Sequence, residues 1–499
     1  MQKFFAKKSD FIILIVFAIG IMFALTCLGI LTLRISSIFR DSLYVQATGA
    51  EAPPLYGVYK VWNQHTLYES LSATTTPMIY NYFFYYVYGY LARFFVHSAE
   101  FLPLFSRIVT FVVTLCCIFI LLFYIRKKGR QDLMHRINYK ELVGLYLLPL
   151  VVFIGPFIGW WNLSARPDFF GLGLELCAII LLLTSNKIFT SGRTLIITLI
   201  FWLAWSFKQN LILVYLGFLV VLLLGRQFRQ LFISSIFFAF FCCLPLVWFG
   251  RAYIDNIIRV PAANPWELRY ALWVSAEALI AGAYIYLPAF FLLGRRLKKG
   301  VELNANCRIL LIIFAVTIVG GFLNSGRWAG GRNHYFSSYL VAAIFIFEFL
   351  VFSWVKDDRH QKKLAQFVCL CIYSIGLLLS SLYLILPNKF GKVFLLTSSQ
   401  RESHKKMISE IKAAAKPAFV EPNYLALPWN SGQDYPDIVD DTTYIFSGIT
   451  IAEERIKNKY YAEAFLTRES RWRHLFEESG YKETERLADL VRLKAGNTP

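Results

Sequence analysis

Residues 145–183 read "LYLLPLVVFIGPFIGWWNLSARPDFFGLGLELCAIILLL", with Arg166 and Asp168 set between two apolar runs. About 20 helical residues cross a bilayer's hydrocarbon core, so each run is built for lipid. Charges inside a span are costly and pair with one another or face a cavity. At the turn between two spans they sit at the membrane surface instead. The stretch therefore reads as span, turn, span. Extended along the chain, that pattern gives an integral, multi-pass membrane protein whose polar residues gather in the turns.

Composition agrees. Of 499 residues, 57% are hydrophobic and the mean hydropathy is +0.51, above the roughly 45–50% apolar content of soluble domains. The 28 Tyr, 46 Phe and 12 Trp suit interfacial aromatic belts. A net charge of +19 raises nucleic acid as a partner, but much of the basic charge lies in short tracts between apolar runs, as cytoplasmic loops require. Nucleic acid is therefore not an expected partner. The nine cysteines lie within or at the edges of apolar segments, which suggests neither a disulfide nor a zinc framework. The sequence has no P-loop, no G-x-G-x-x-G and no H-E-x-x-H. The first apolar run ends in "LTLRISS" without a cleavage pattern and reads as a retained helix.

The basic N-terminus, with Lys3, Lys7 and Lys8, and the tract "RKKGRQDLMHR" (126–136) both belong in the cytoplasm. One outward crossing (11–33) and one return must separate them. The return is assigned to the aliphatic run 107–125. The tyrosine-rich run 78–95 is assigned to a helix lying at the outer interface, where tyrosine hydroxyls stay wet. Further spans follow near 141–161, 169–184, 194–206, 210–225, 231–250, 270–293, 307–323, 335–355 and 365–386. The expected architecture is an α-helical polytopic membrane protein with about eleven transmembrane helices (1–386). Its first outer loop (34–106) carries juxtamembrane helices, and a small extracytoplasmic α/β domain (387–499) follows. Within the tail, 405–416 reads as a helix, 417–429 and 442–448 as strands, and 462–483 as one or two helices.

This topology gathers the polar residues at the outer face. Asp41, in "IFRDSLYVQATG", stands about eight residues past the first span. A carboxylate there can take a proton from an acceptor hydroxyl, or simply cap a helix or face solvent. Glu51 and Glu69 are weaker candidates. Arg166 and Asp168 either pair with each other, or Arg166 faces a bound anion. Asn162-Leu163-Ser164 matches a glycosylation sequon but lies close to the bilayer. Lys208 in "SFKQN", and Arg327, Arg332, Asn333 and His334 in "NSGRWAGGRNHYF", form basic loops on the outer side, against the positive-inside bias. They suit a phosphate or diphosphate, or lipid headgroups. Arg107 begins the second span and is either functional or interfacial.

In order along the chain, "RDSLY", "APPLYGVYKVW", "TPMIYNYFFYYVYGYLARFF", "LPLFSRIVTFV", "SARPDFFGLGLEL", "SFKQN", "GGRNHYF" and "KPAFVEPNYLALPWNSGQDYPDIVD" resemble the GT-C class of integral membrane glycosyltransferases. The likeness runs over most of the chain and is to bacterial members similar to the dolichyl-phosphate-mannose mannosyltransferases. It implies an inverting sugar transfer from a polyprenyl-phosphate-linked donor to a lipid, glycan or protein acceptor. The expected setting is the extracytoplasmic side of a bacterial inner membrane, among membrane lipids. By this resemblance Asp41 is the general base. Lys208, Arg332 and His334, with Arg327, Arg166 and Arg107, bind substrate, while Asp168 and Glu51 brace the site. Where members of the class carry an Asp-Glu pair, this chain has Asp41-Ser42, and no metal or other cofactor is indicated. The competing reading is a transporter or flippase for a lipid-linked saccharide. Such proteins often show repeated halves and mid-membrane sites; this sequence has no internal repeat, and its charges lie at one face.

Overall fold

The computed structural model describes residues 2–43, 51–70, 77–132, 139–184, 190–298, 303–327, 331–355, 359–385, 396–421, 424–433, 449–470, 472–487 and 490–496. The membrane part is helical throughout: α1 Gln2–Asp41, α2 Ala52–Trp62, α3 Tyr82–Phe95, α4 Leu102–Asp132, α5 Tyr139–Ile154, α6 Asp168–Leu183, α7 Ser191–Phe207 and α8 Ile212–Leu224, then α9 Phe228–Ile254, α10 Val260–Ala263, α11 Leu268–Ala281, α12 Ala283–Leu297, α13 Ala305–Ser325, α14 Phe336–Val355 and α15 Arg359–Ile385.

Each of the eleven expected spans coincides with a helix. Among the described residues, six are long and apolar enough to cross a membrane singly, or seven if the bent pair Leu268–Ala281 and Ala283–Leu297 counts as one. Two expectations change shape. The span over 141–161 stops at Ile154, before Gly155-Pro156, because a residue preceding proline is driven out of helical geometry. The span over 270–293 is two helices bent by 95°, with Gly282 between them. A third difference concerns Asp41, which is the last residue of a continuous 40-residue α1 and not part of a loop beyond it. The sequence after residue 33 holds no proline or glycine until Gly49, and Arg34 fastens the extension by donating to the carbonyls of Gly159 (2.5 Å) and Trp160 (2.6 Å).

The 14 residues of α3 span about 21 Å at 1.5 Å per residue, short of the ~30 Å core. α3 packs against α2. A Cβ on Gly57 would fall 2.2 Å from the Tyr85 ring, and one on Gly89 would fall 2.6 Å from Val61, so both glycines are needed for the helices to approach this closely. α14 is apolar on every side and runs through the centre of the bundle, with 94% of its most apolar window buried.

The turns sort into two ends. At one, Lys128, Tyr124 (2.5 Å) and Asn306 (3.0 Å) all donate to Glu348, and Asn306 also reaches the Leu183 carbonyl. At the other, Arg34 meets the 159–162 turn, Asn81 meets Trp205, Met78 meets Asn256, and Glu267 meets Gly326. The first set joins loops expected in the cytoplasm and the second joins loops expected outside.

The C-terminal part comprises α16 Ser398–Ala413, β1 Ala418–Val420, α17 Pro428–Ser431, α18 Ile449–Lys457, β2 Glu463–Thr467, α19 Arg473–Glu478, β3 Tyr481–Leu487 and β4 Leu490–Ala495. The four strands form one sheet in the order β1-β2-β4-β3, with β1 parallel to β2 and the other pairs antiparallel. Of the one or two helices expected over 462–483, Arg473–Glu478 is present and the rest is corrected. Glu463–Thr467 is a strand buried along nearly its whole length, and Tyr481 opens another. A short buried apolar run carries no period that separates helix from strand. The strand expected over 442–448 lies outside the described residues. This part sits on the segment between α1 and α4: Met407, Ile411 and Trp429 share a core with Leu55, Tyr59 and Tyr85, and Lys412 pairs with Glu100 at 2.9 Å.

Candidate active site

The turn "NLSARPD" is the hub. Pro167 stands just before α6, so Asp168 opens that helix, where a carboxylate suits the positive end of the dipole. Its side chain is 3% exposed and meets Lys208 Nζ at 2.5 Å, Asn333 Nδ2 at 3.2 Å and Arg166 Nε at 3.4 Å. Arg166 also donates to Tyr80 Oη at 2.9 Å. Three chain-distant turns are thus held on one carboxylate. Burial pulls the Lys208 ammonium below its ordinary range, to about 8, against the attraction of Asp168.

Beyond this cluster opens a cavity of about 310 Å³. Arg166, Lys208, Arg327 and His334 line it together with Tyr80, Gln209, Asn210, Asn324 and Asn333. Four of the six expected substrate-binding residues therefore share one cavity. Asn210 Nδ2 lies 3.1 Å from His334 Nδ1, which holds the imidazole in place. Arg327 donates to the Pro261 carbonyl at 3.0 Å.

The other two face elsewhere. Arg332 stacks over Trp161 (4.7 Å), donates to Tyr383 Oη (3.1 Å) and lies 3.5 Å from Glu277. Arg107 is fully buried and paired with Glu51 at 2.8 Å. Glu51 also accepts the Ala165 amide at 2.7 Å, and Arg107 donates to the Ser42 carbonyl at 3.0 Å. Glu51 and Arg107 thus tie the end of α1 to the "NLSARPD" turn. Neither Glu51 nor Arg107 lines the cavity. A buried ion pair that also saturates backbone groups is held more firmly than an exposed one.

Asp41 lies at this same end, 1% exposed. Arg401 Nε of the helix Ser398–Ala413 lies 2.8 Å from its Oδ1. The contact is electrostatic: its alignment is not that of a hydrogen bond, and neither carboxylate oxygen of Asp41 has a hydrogen-bond partner among the described residues. Tyr424 Oη donates to the neighbouring Ser42 carbonyl at 2.5 Å.

Sequence reasoning missed Arg34, Tyr80, Asn324, Glu175 and Arg401. Arg34 and Glu175 carried a signal, each being a charge at or within an apolar run. Tyr80 and Asn324 carried none, since their role arises only from tertiary placement. Glu175, one helical face below Asp168, is fully buried and contacts Ser337 Oγ with both oxygens, at 3.0 and 2.9 Å. Among the described residues no group of three or more His, Cys, Asp or Glu is placed to hold a metal ion.

The fold is shared with a solved membrane protein, ArnT. The chain is similar to ArnT from Cupriavidus metallidurans bound to undecaprenyl phosphate, with a TM-score of 0.58 and 10% identity over 95% of this chain and 98% of that one. It is similar to the same protein in the apo state, with a TM-score of 0.60 and 11% identity over 95% and 97%. No family model matches the sequence, and no curated protein matches it.

Proposed function

We propose that this protein transfers a sugar from a polyprenyl-phosphate-linked donor to a hydroxyl of a lipid, glycan or protein acceptor at the outer face of the membrane. The observation that carries the reading is the cavity in which Arg166, Lys208 and Arg327 converge with His334, in a fold shared with a protein bound to undecaprenyl phosphate. A phosphate at the bilayer surface needs cations there, and Arg and Lys supply charge-assisted hydrogen bonds.

In this reading Asp41 is the general base. The acceptor oxygen attacks the anomeric carbon as its proton passes to Asp41. The bond from that carbon to the phosphate oxygen breaks on the opposite side, so the configuration inverts. The phosphate diester becomes a monoester and gains charge. Lys208, Arg166 and Arg327 stabilise that charge where it develops. Asp168 keeps the first two aligned, and Glu51 with Arg107 holds Asp41's helix end against the same turn. Arg332 stands outside the cavity and supports the 160–162 turn through Trp161.

The test is to incubate the purified protein, in lipid nanodiscs, with undecaprenyl phosphate carrying radiolabelled sugars and a membrane extract. Labelled product formed by the wild type and not by Asp41→Asn supports the reading. Absence of transfer from every such carrier overturns it.

A further inference from the structure

The cavity has a second chemical character besides its cations. Gln209, Asn210, Asn324 and Asn333 present carboxamides to it, and Tyr80 presents an aromatic ring. Among the described residues, no acidic side chain lines it. Asp168, behind the wall, is occupied by Lys208, Arg166 and Asn333.

Several of these amides have unused capacity among the described residues. Asn210 Oδ1 is buried and accepts no hydrogen bond, although Asn210 Nδ2 is engaged by His334. Gln209 donates through Nε2 to the Ile79 carbonyl at 2.7 Å, which fixes the side chain and leaves Oε1 over. Asn324, at the end of α13, adds a further carboxamide to the lining. A carboxamide offers both donors and acceptors. That is the pairing a sugar hydroxyl requires, since it gives one hydrogen and accepts at its lone pairs. A buried acceptor left unmet is costly, and a hydroxyl meets it.

Size points the same way. At about 310 Å³ the cavity lies at the lower end of ligand pockets, which run roughly 300–1,000 Å³. It holds a polar headgroup and not a long isoprenoid.

We infer that the cavity recognises the sugar of the donor as well as its phosphate, and that this sugar is a polyhydroxylated glycose without a cationic amino group. The inference rests on the proposed function and names the donor's class. Three cations and no free carboxylate around the site repel an ammonium group, while the amides match neutral hydroxyls.

The test measures binding to the purified full chain by native mass spectrometry or microscale thermophoresis. The probes are undecaprenyl phosphate, the same carrier bearing glucose, and the same carrier bearing a 4-amino-4-deoxypentose. The glucose carrier is expected to bind about tenfold or more tightly than the aminosugar carrier. Asn324→Ala is expected to weaken the glucose carrier about tenfold, the scale of one to three neutral hydrogen bonds, and to leave bare undecaprenyl phosphate unchanged. Circular dichroism and melting temperature verify the variant's fold. If variant folding fails, the wild-type comparison of the two sugar carriers decides alone. Equal or tighter binding of the aminosugar carrier, or equal weakening of bare and glucosylated carriers in the variant, overturns the inference and leaves the phosphate reading standing. Failure of bare undecaprenyl phosphate to bind the wild type overturns both.

Discussion

Arg401, on the first helix of the C-terminal domain, lies 2.8 Å from Asp41 at the end of the first membrane helix. The two residues are 360 positions apart in the chain, and both are largely buried. If Asp41 is the base, this arginine orients and electrostatically holds it. Arg401→Ala is expected to lower kcat about tenfold or more with little change in KM for donor, and Arg401→Lys to restore part of the loss. An unchanged kcat in Arg401→Ala would make the contact one of domain packing alone.

Asp41→Asn is expected to abolish transfer while leaving the melting temperature near wild type, because an amide cannot take the acceptor's proton. Turnover at saturating donor, with melting temperature as folding control, checks it. Near-normal turnover would move the base to another carboxylate.

Asp168→Asn removes the one anion shared by Lys208 and Arg166. Leaving buried cations unpaired costs about 3–5 kcal/mol, so this variant is expected to lose substantial stability as well as donor affinity. Lys208→Ala is expected to weaken undecaprenyl phosphate binding about tenfold or more. Thermal unfolding in detergent and binding titrations separate the two effects; a stable Asp168→Asn would mean that the cations are satisfied elsewhere.

The depressed Lys208 ammonium gives two pH dependences of opposite sign. Phosphate binding needs the protonated amine, so donor affinity is expected to fall as pH rises through about 8. The ordinary value is near 10.5, so between the two the unfolded chain holds the extra proton. Over that window the contribution of Lys208 to stability rises with pH. Lys208→Met should flatten both curves. A wild-type affinity that stays constant between pH 7 and 9.5 would contradict the assignment.

Among the described residues, Glu175 hydrogen-bonds only with the Ser337 hydroxyl, which touches both of its oxygens. One hydroxyl has one hydrogen, so a neutral carboxyl group that donates in return satisfies the pair best. Glu175→Gln is expected to preserve stability and transfer, whereas Glu175→Ala opens a cavity between α6 and α14 and costs about 2–4 kcal/mol. Comparing the melting temperatures of the two variants checks this.

Much of this layout was legible in the sequence, for reasons that differ by residue. Lys208, Arg327 and His334 stood out because basic outer turns oppose the usual charge bias, and Pro167 announced the helix that Asp168 begins. The apolar runs marked eleven helices, but periodicity could not say where they bend: Gly282 breaks one span and Gly155-Pro156 shortens another. Arg107 looked like an anion ligand because its partner, Glu51, lies in a distant loop. The strand Glu463–Thr467 looked helical because its neighbours in the sheet come from far along the chain. Tyr80 and Asn324 acquire meaning only beside the cations, and no local pattern marks such residues.

The far end of the bundle has a bearing on how a lipid could enter. There Glu348 binds Lys128, Tyr124 and Asn306 at once, fastening α4, α13 and α14 together. Those helices are clamped at the root. The departures from regular geometry lie higher up: Gly250 has φ +57° within α9, the π-helical turn Asp255–Arg259 follows it, and α11 and α12 meet at 95°. The bundle is therefore built like a peg with one tip fastened, while the π-helical turn and α10 contribute Ile257 and Pro261 to the cavity wall.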